Sequence, residues 1–434
     1  MKATFDIAIV GAGPAGLAAA LAAAQSGMRI AIVDDNPQAG GQVWRQGPGI
    51  VAPAPMRATL SELVRNSNVV HYAGASVAAL SASNEMMVTS SLYGGVSISF
   101  ERLVLATGAR ERLLPFKGWT LPGVTGAGAL QALVKGGMPV RGERVVLAGS
   151  GPLLMASLAT ARKAGARIVA IVEQAPWRSL LRFGLSLGLT PSKAIQAIQL
   201  TRGFAATAYW PGAVVSAALG DARVEGAIVR RGEREVTLDC DRIACGYGLT
   251  PNVSLAQALG CALDQDSIAI AIDENQRTSV ADIWAAGECT GIGGMELARA
   301  EGSIAGLAAT GQSIPGRLIR ERDRWRRFAI RVASAFELGG HACATPSAET
   351  IFCRCEDVPF GEVSRYENWR DAKLHTRCGM GPCQGRICGA AAHTYFGWTA
   401  GAPRPPLVPT RIGALIEAGQ SVPFPTQPEH GARL

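Results

Sequence analysis

The strongest constraint on the fold is a glycine turn wedged between a short apolar run and a small-residue helix, because the pattern occurs twice. Asp6 to Val10 (DIAIV) leads into Gly11-Ala12-Gly13-Pro14-Ala15-Gly16, and an Ala/Leu-rich stretch from Leu17 to Ser26 follows. Strand, glycine turn and helix in that order mark a nucleotide-binding βαβ unit. Gly11 permits the tight turn, Gly13 lets backbone approach a pyrophosphate, and Gly16 lets helix and strand pack closely. The helix opens at Pro14 and Ala15, and its N-terminus offers unpaired N–H groups to phosphate. A second strand, Arg29 to Val33, ends at Asp34, where such a unit needs an acceptor for ribose hydroxyls.

The pattern returns at strand Arg144 to Ala148, followed by Gly149-Ser150-Gly151-Pro152-Leu153-Leu154, a helix, and strand Arg167 to Val172 closed by Glu173. Leu154 stands in the third glycine position, where a side chain widens the helix–strand contact. This second unit therefore reads equally as an NAD(P) site on Gly149, Gly151 and Glu173 or as a retained scaffold. If a nicotinamide binds, Glu173 repels a ribose 2′-phosphate and favours NAD over NADP. Around the two units lie Gly40-Gly41-Gln42, Ala106-Thr107-Gly108-Ala109 at the end of strand Arg102 to Leu105, Tyr247 to Asn252 (YGLTPN), and Thr278 to Thr290 (TSVADIWAAGECT).

Composition narrows the class. At 434 residues, 48% apolar and 18% charged, the chain has enough apolar surface for two or three domains, and its 52 glycines suit folds that bring backbone close to ligands. The net charge of +8 does not indicate nucleic acid: the densest basic run, Arg317 to Arg331, is broken by Glu321 and Asp323 and reads as a solvated helix face. The apolar stretch Ile7 to Ala24 is interrupted by its glycine turn, so it is neither a secretion signal nor a membrane span. The expected location is cytoplasmic, with at most peripheral membrane association, and the ten cysteines are expected to be reduced or metal-bound.

The combination of GAGPAG, Asp34, Gly41-Gln42, Thr107-Gly108 and the TSVADIWAAGE word resembles the flavoprotein family of glutathione and thioredoxin reductases. That resemblance implies an α/β protein of two nested Rossmann-like dinucleotide-binding domains. FAD would sit on a discontinuous domain of residues 1–115 and 250–315, around an inserted NAD(P)-binding-like domain of residues 116–249. In the last FAD motif Gly287 is kept, and Glu288 stands where relatives use Asp for the ribityl chain. The helix from Met295 would aim its N-terminus at the flavin. The family's redox cysteine pair is missing: no C-x-x-C precedes residue 378, Cys261 and Cys289 are isolated, and Cys240 and Cys245 flank a predicted strand. This argues against a disulfide reductase.

Six cysteines fall after residue 340. Cys353-Arg354-Cys355 and Cys378-Gly379-Met380-Gly381-Pro382-Cys383 form a C-x-C and C-x-x-x-x-C pair, which suits metal, zinc less well than iron. The words CRCE and TRCGMGPCQGRIC resemble the bacterioferritin-associated-ferredoxin-like module. The resemblance implies a small C-terminal helical iron-sulfur module, residues 346–400, with one 2Fe-2S cluster on Cys353, Cys355, Cys378 and Cys383, and Cys388 as a buried helix residue. A linker helix (316–345) precedes it. A Pro-rich tail (401–434) follows and reads either as a docking strip for a partner or as a surface-hugging terminus.

Over nearly its whole length the chain resembles the A/alpha subunits of bacterial amine and imino-acid dehydrogenases: the opine oxidase, D-hydroxyproline/proline dehydrogenase and hydrogen cyanide synthase families. The resemblance rests on GAGPAG, GWTLPGV (Gly118 to Val124), GSGPLL, TSVADIWAAGE and the cysteine tail. It implies an FAD/2Fe-2S electron-transfer subunit for a small amine or imino acid, working with two partners: a D-amino-acid-oxidase-like flavoprotein and a small ferredoxin-like protein. None of the five histidines sits in a catalytic motif, so no general base is assigned. The alternatives are a single-chain NADH-dependent flavin/iron-sulfur reductase and a non-enzymatic redox sensor.

Overall fold

A computed structural model describes residues 2–48, 50–81, 84–92, 94–201, 207–264 and 268–419. The chain divides into two compact units, Met1–Arg110 with Pro251–Ala329 and Gly401–Leu434, and Glu111–Thr250 with Ile330–Ala400.

In the first unit, parallel strands Val69–Ala73, Ile30–Asp34, Lys2–Val10 and Gly94–Leu105 lie side by side in that order. On its far edge Gly94–Leu105 pairs antiparallel with Glu85–Ser90 in its first half and parallel with Ile283–Ala285 at its end. Ile30–Asp34 is buried at every position, as a parallel strand covered on both faces requires. One cover is helix Pro14–Ala24, crossed by Met295–Ala309. The crossing is a backbone contact: a Cβ on Gly302 would lie 2.1 Å from the Ala15 carbonyl oxygen, and one on Gly306 would lie 2.3 Å from that of Ala19.

The described part of the Pro-rich tail rests on this same unit. Leu407 donates to the Ala78 carbonyl at 2.7 Å, and Glu417, on helix Ile412–Gly419, accepts from the Gly95 backbone at 2.8 Å. Residues 420–434, the remainder of the stretch read as a docking strip or a surface-hugging terminus, lie outside the described residues.

The second unit holds a five-stranded parallel sheet in the order Ala208–Pro211, Arg167–Glu173, Arg144–Ser150, Arg242–Tyr247, Val124–Thr125. A three-stranded antiparallel meander, Val214–Leu219, Gly226–Arg231 and Arg234–Asp239, accompanies it. Leu154 is fully buried with Leu130, Leu147 and Leu158, so the missing glycine has become a core residue.

The cysteine-bearing segment joins this unit. It is not purely helical: a hairpin of Ile351–Cys353 and Val358–Pro359 precedes helices Phe360–Val363, Trp369–Thr376 and Cys388–Phe396. It also has no core of its own. Phe352, Cys353, Phe360, Cys378 and Ala391 share one apolar cluster with Trp119, Val146, Val172 and Ile243 of the dinucleotide fold. A segment of this size buries too little surface alone, and sharing a neighbour's core supplies the deficit. Among the described residues no helix is long and apolar enough to cross a membrane.

Candidate functional site

The first glycine turn forms a cradle of bare backbone. Gly11 has φ +109°, and a Cβ there would lie 2.2 Å from the Ala106 carbonyl oxygen. Gly16 has no room either, with the Gly11 carbonyl oxygen 1.8 Å from its virtual Cβ. Helix Pro14–Ala24 begins at Gly13 with no side-chain cap, although Pro14, Ala15 and Gly16 are buried. Buried, uncapped N–H groups at a helix start fit a diphosphate and are costly without a polar partner.

Gly41 (φ +57°) closes on Gly13, its virtual Cβ 3.0 Å from the Gly13 Cα, and Gly287 closes on Ala15 at 2.7 Å. The residues singled out in GAGPAG, Gly40-Gly41 and the last motif therefore converge. Gln42 is exposed and accepts hydrogen bonds from Arg45. Asp34 is buried, but its carboxylate already accepts from the Ala12 and Asn36 backbones. With a further bond from the Asn36 side chain, the carboxylate shapes the turn. Thr107 is likewise engaged: its hydroxyl donates to the Asn252 carbonyl at 2.7 Å, and Asn252 returns a bond to the Thr107 carbonyl at 2.9 Å. Beside it, Gly108 (φ +66°) faces open space.

Glu288 lies just after Gly287. Burial pushes its carboxyl above the usual range, against a hydrogen bond from the Gly294 backbone. A protonated Glu288 can donate to a hydroxyl as well as accept, which a permanently ionised carboxylate cannot. Sequence reasoning missed Glu301, on helix Met295–Ala309. It is 3% exposed, accepts from the Gly287 backbone at 3.1 Å and from the Thr290 hydroxyl at 3.0 Å, and pairs with Arg326 at 2.9 Å. The available signal was a second carboxylate, after Glu296, in the middle of a small-residue helix, ELARAEGSIAGLAA.

The second glycine turn opens alike, Gly149 matching Gly11 in its positive φ, but differs at its second glycine, where Gly13 has φ −75° and Gly151 φ +96°. Gly149 (φ +129°) abuts the Gly246 backbone. Both Glu173 oxygens accept from backbone, Gly151 at 3.0 Å and Ala175 at 2.9 Å, and burial pushes its carboxyl up to about 7. Over this turn runs the chain's own segment from Phe336 to His341. Ser150 donates to the Phe336 carbonyl at 3.1 Å, and the fully buried Gln174 donates to Ser150 and to the Glu337 carbonyl, both at 2.9 Å. Gln174 also accepts from the Gly339 backbone at 2.9 Å, and His341 bonds the Gln174 carbonyl at 3.0 Å. Phe336 occupies the space above Gly151, 3.8 Å from its virtual Cβ. The second turn is thus covered by the chain's own residues.

The cysteines gather in the second unit. The sulfurs of Cys353, Cys378 and Cys388 lie within 4.8 Å of one another, all three residues buried, and Cys353 and Cys388 are 3.9 Å apart. Cys388 does open a helix and is buried, yet its sulfur joins the group rather than the apolar packing alone. Cys355 and Cys383 interact with each other at a more exposed edge. Hydrogen bonds from Cys378 and Cys388 hold the Cys353 thiol far below its usual range, towards the thiolate that binds metal. The Gly379 backbone donates to the Cys353 sulfur at 3.5 Å, and Gly381 leaves no room for a side chain beside Cys355. An all-sulfur donor set fits iron-sulfur or zinc and excludes hard cations. Elsewhere burial pushes Cys240 up to about 11 and Cys245 up to about 12, as inert thiols. His375 stacks on Tyr366.

A glycine cradle on one Rossmann-like sheet, a second such sheet, and nested connectivity define a flavin-dependent oxidoreductase of the two-dinucleotide-fold class. The chain belongs to the pyridine nucleotide-disulphide oxidoreductase family, whose profile matches residues 5–303. It is 32% identical to the opine oxidase A subunit of Rhizobium meliloti over 95% of this chain and 98% of that one. It is 28% identical to hydrogen cyanide synthase subunit HcnB of Pseudomonas aeruginosa, over 95% of this chain and 98% of that one. Among solved structures, L-proline dehydrogenase from P. horikoshii shares the fold, with a TM-score of 0.67 at 20% identity over 95% of this chain and 80% of that one. The kinship anticipated from the motifs therefore runs through the cysteine tail as well.

Proposed function

We propose that this chain is the electron-relaying subunit of a heteromeric dehydrogenase for a small amine or imino acid, of the opine, D-hydroxyproline/proline or glycine type. The observation that carries this reading is the shared core: a cysteine cluster is built onto a dinucleotide fold whose glycine turn is covered by the chain itself. An enzyme taking hydride from NADH needs that turn open. The covered turn instead favours a donor that arrives through a partner protein, and the subunit names of the relatives point the same way.

In this reading Gly11, Gly13, Ala15, Gly16, Gly41 and Gly287 hold FAD, with Asp34 and Glu301 fixing the loops that meet it. The cysteines hold a 2Fe-2S cluster, four drawn from Cys353, Cys355, Cys378, Cys383 and Cys388. A flavin exchanges electrons in pairs or singly and such a cluster singly, which suits routing from an organic donor to a separate acceptor. The second fold, with Gly149, Gly151 and Glu173, serves as scaffold. The proposed partners are a D-amino-acid-oxidase-like flavoprotein, which oxidises the C–N bond, and a small ferredoxin-like protein; the proposed setting is the cytoplasm.

The test is anaerobic mixing of the purified chain with NADH, and then with an imino-acid donor in the presence of the co-expressed flavoprotein partner. Flavin bleaching with the second mixture and not the first is expected. Rapid bleaching by NADH alone would overturn the reading in favour of a single-chain reductase. A preparation without iron and sulfide would remove the cluster.

A further inference from the structure

One part of the second unit is unlike the rest of the surface. Helix Trp177–Ser186, a short turn Leu187–Leu189 and helix Pro191–Thr201 form a helix–turn–helix segment that exposes a row of apolar side chains. Trp177, Leu181, Leu185 and Leu189 follow one another at four-residue spacing and are 57%, 53%, 75% and 74% exposed; Ile195 on the second helix adds 57%. The inner face is fastened: Phe183 packs edge-on against Phe336 at 5.3 Å, and Arg331 donates to the Thr190 hydroxyl at 2.6 Å. These two contacts tie the segment to the chain beneath it.

Charge identifies what the row faces. One residue along from the apolar row, Arg178 and Arg182 form a parallel row, with the Arg178 guanidinium 5.8 Å from the centre of the Trp177 ring. Lys193 adds a third cation. From Gln174 to Gly220 the sequence contains no Asp or Glu. Apolar side chains flanked by cations of a single sign, headed by a tryptophan, match an anionic lipid surface: acyl chains take the leucines and headgroups take the arginines. An acidic protein surface is the competing occupant, and the partner arm of the test below separates the two. Both helices are far too short to cross a bilayer, so they would lie in its plane.

We propose that this segment docks the protein on anionic phospholipid, placing the second unit and its cysteine cluster beside the membrane. The test is co-sedimentation of the full chain with vesicles of equal parts phosphatidylglycerol and phosphatidylcholine, and with phosphatidylcholine vesicles alone. Binding to the anionic vesicles is expected, weaker by about tenfold or more on the neutral ones. Leu181→Ser with Leu185→Ser should abolish it on both. Arg178→Glu with Arg182→Glu should remove the preference for the anionic lipid. Val51→Ser, at an apolar residue 78% exposed on the first unit, should change nothing. All the altered side chains are exposed, and a thermal melt of each variant verifies that it is folded. Failure of the wild-type chain to sediment with anionic vesicles, or unchanged sedimentation of the leucine variant, overturns the proposal. So does a leucine variant that keeps the lipid and loses a co-expressed partner protein, since the face would then be a protein interface.

Discussion

Gly302→Ala tests how the flavin cradle is built. The added methyl would sit 2.1 Å from the Ala15 carbonyl oxygen, itself part of a helix backbone and unable to swing aside. A relaxed carbon–oxygen contact needs about 3.3 Å, so helices Pro14–Ala24 and Met295–Ala309 must separate by roughly 1 Å. Overpacking of this kind costs about 1–3 kcal/mol, and a backbone-on-backbone clash belongs at the upper end. For a unit of this size that is a fall in melting temperature of about 6–12 °C. The same shift carries Ala15 away from Gly287 and displaces the helix N-terminus, so flavin content should fall with stability. Thermal unfolding followed by flavin fluorescence, together with the flavin-to-protein absorbance ratio, measures both. A Gly302→Ala protein that melts within a degree of wild type and keeps its flavin would refute the argument that this crossing sets the cradle.

Three further outcomes follow from the same geometry. Glu301→Ala removes the acceptor of the Gly287 and Thr290 bonds and leaves Arg326 unpaired; urea unfolding should show a loss of about 2–3 kcal/mol with weaker flavin retention, and an unchanged midpoint would contradict the role. Glu173 is raised by burial to about 7, so the fold favours its neutral form: its stabilising contribution is complete below the unfolded value near 4.5 and is lost as pH rises through 7, about 3 kcal/mol at most. Glu111, also raised to about 7, adds in the same direction, so calorimetry should find the second unit melting lower at pH 7.5 than at pH 5; the reverse order would refute it. Cys353→Ser should lose bound iron and sulfide while Cys343→Ser keeps them, as iron analysis of the two proteins will show.

What could be read in the chain was whatever is written locally. Gly11 to Gly16 and Gly149 to Gly151 declare their turns within a few residues, because a tight turn between strand and helix needs glycine whatever surrounds it. Asp34 was legible as the residue ending its strand, though its carboxylate spends two bonds on the turn itself. Leu154 was legible as a departure and illegible in its consequence, since only the packed core shows that the side chain has a place. Glu301 and Gln174 were missed because their partners are set by tertiary contact, and Gln174 meets Phe336 to His341 across more than 160 residues of sequence. No periodicity announces such a meeting. The same holds for Cys388, whose spacing suggested packing and whose sulfur the fold turns toward Cys353.

The shared core gives the second sheet a structural task whether or not it binds a nucleotide. The cysteine segment has no interior of its own, so Phe352, Phe360 and Ala391 depend on Val146, Val172 and Ile243 for burial. Losing the second sheet would expose the cysteines along with it. The segment that leads into the cysteines is also bonded to the second glycine turn, through Ser150 and Gln174. Gly149, Gly151 and Glu173 are each engaged within the fold itself, the glycines in the turn and Glu173 by the bonds that Gly151 and Ala175 donate to it, so their presence in the sequence does not by itself require a nucleotide.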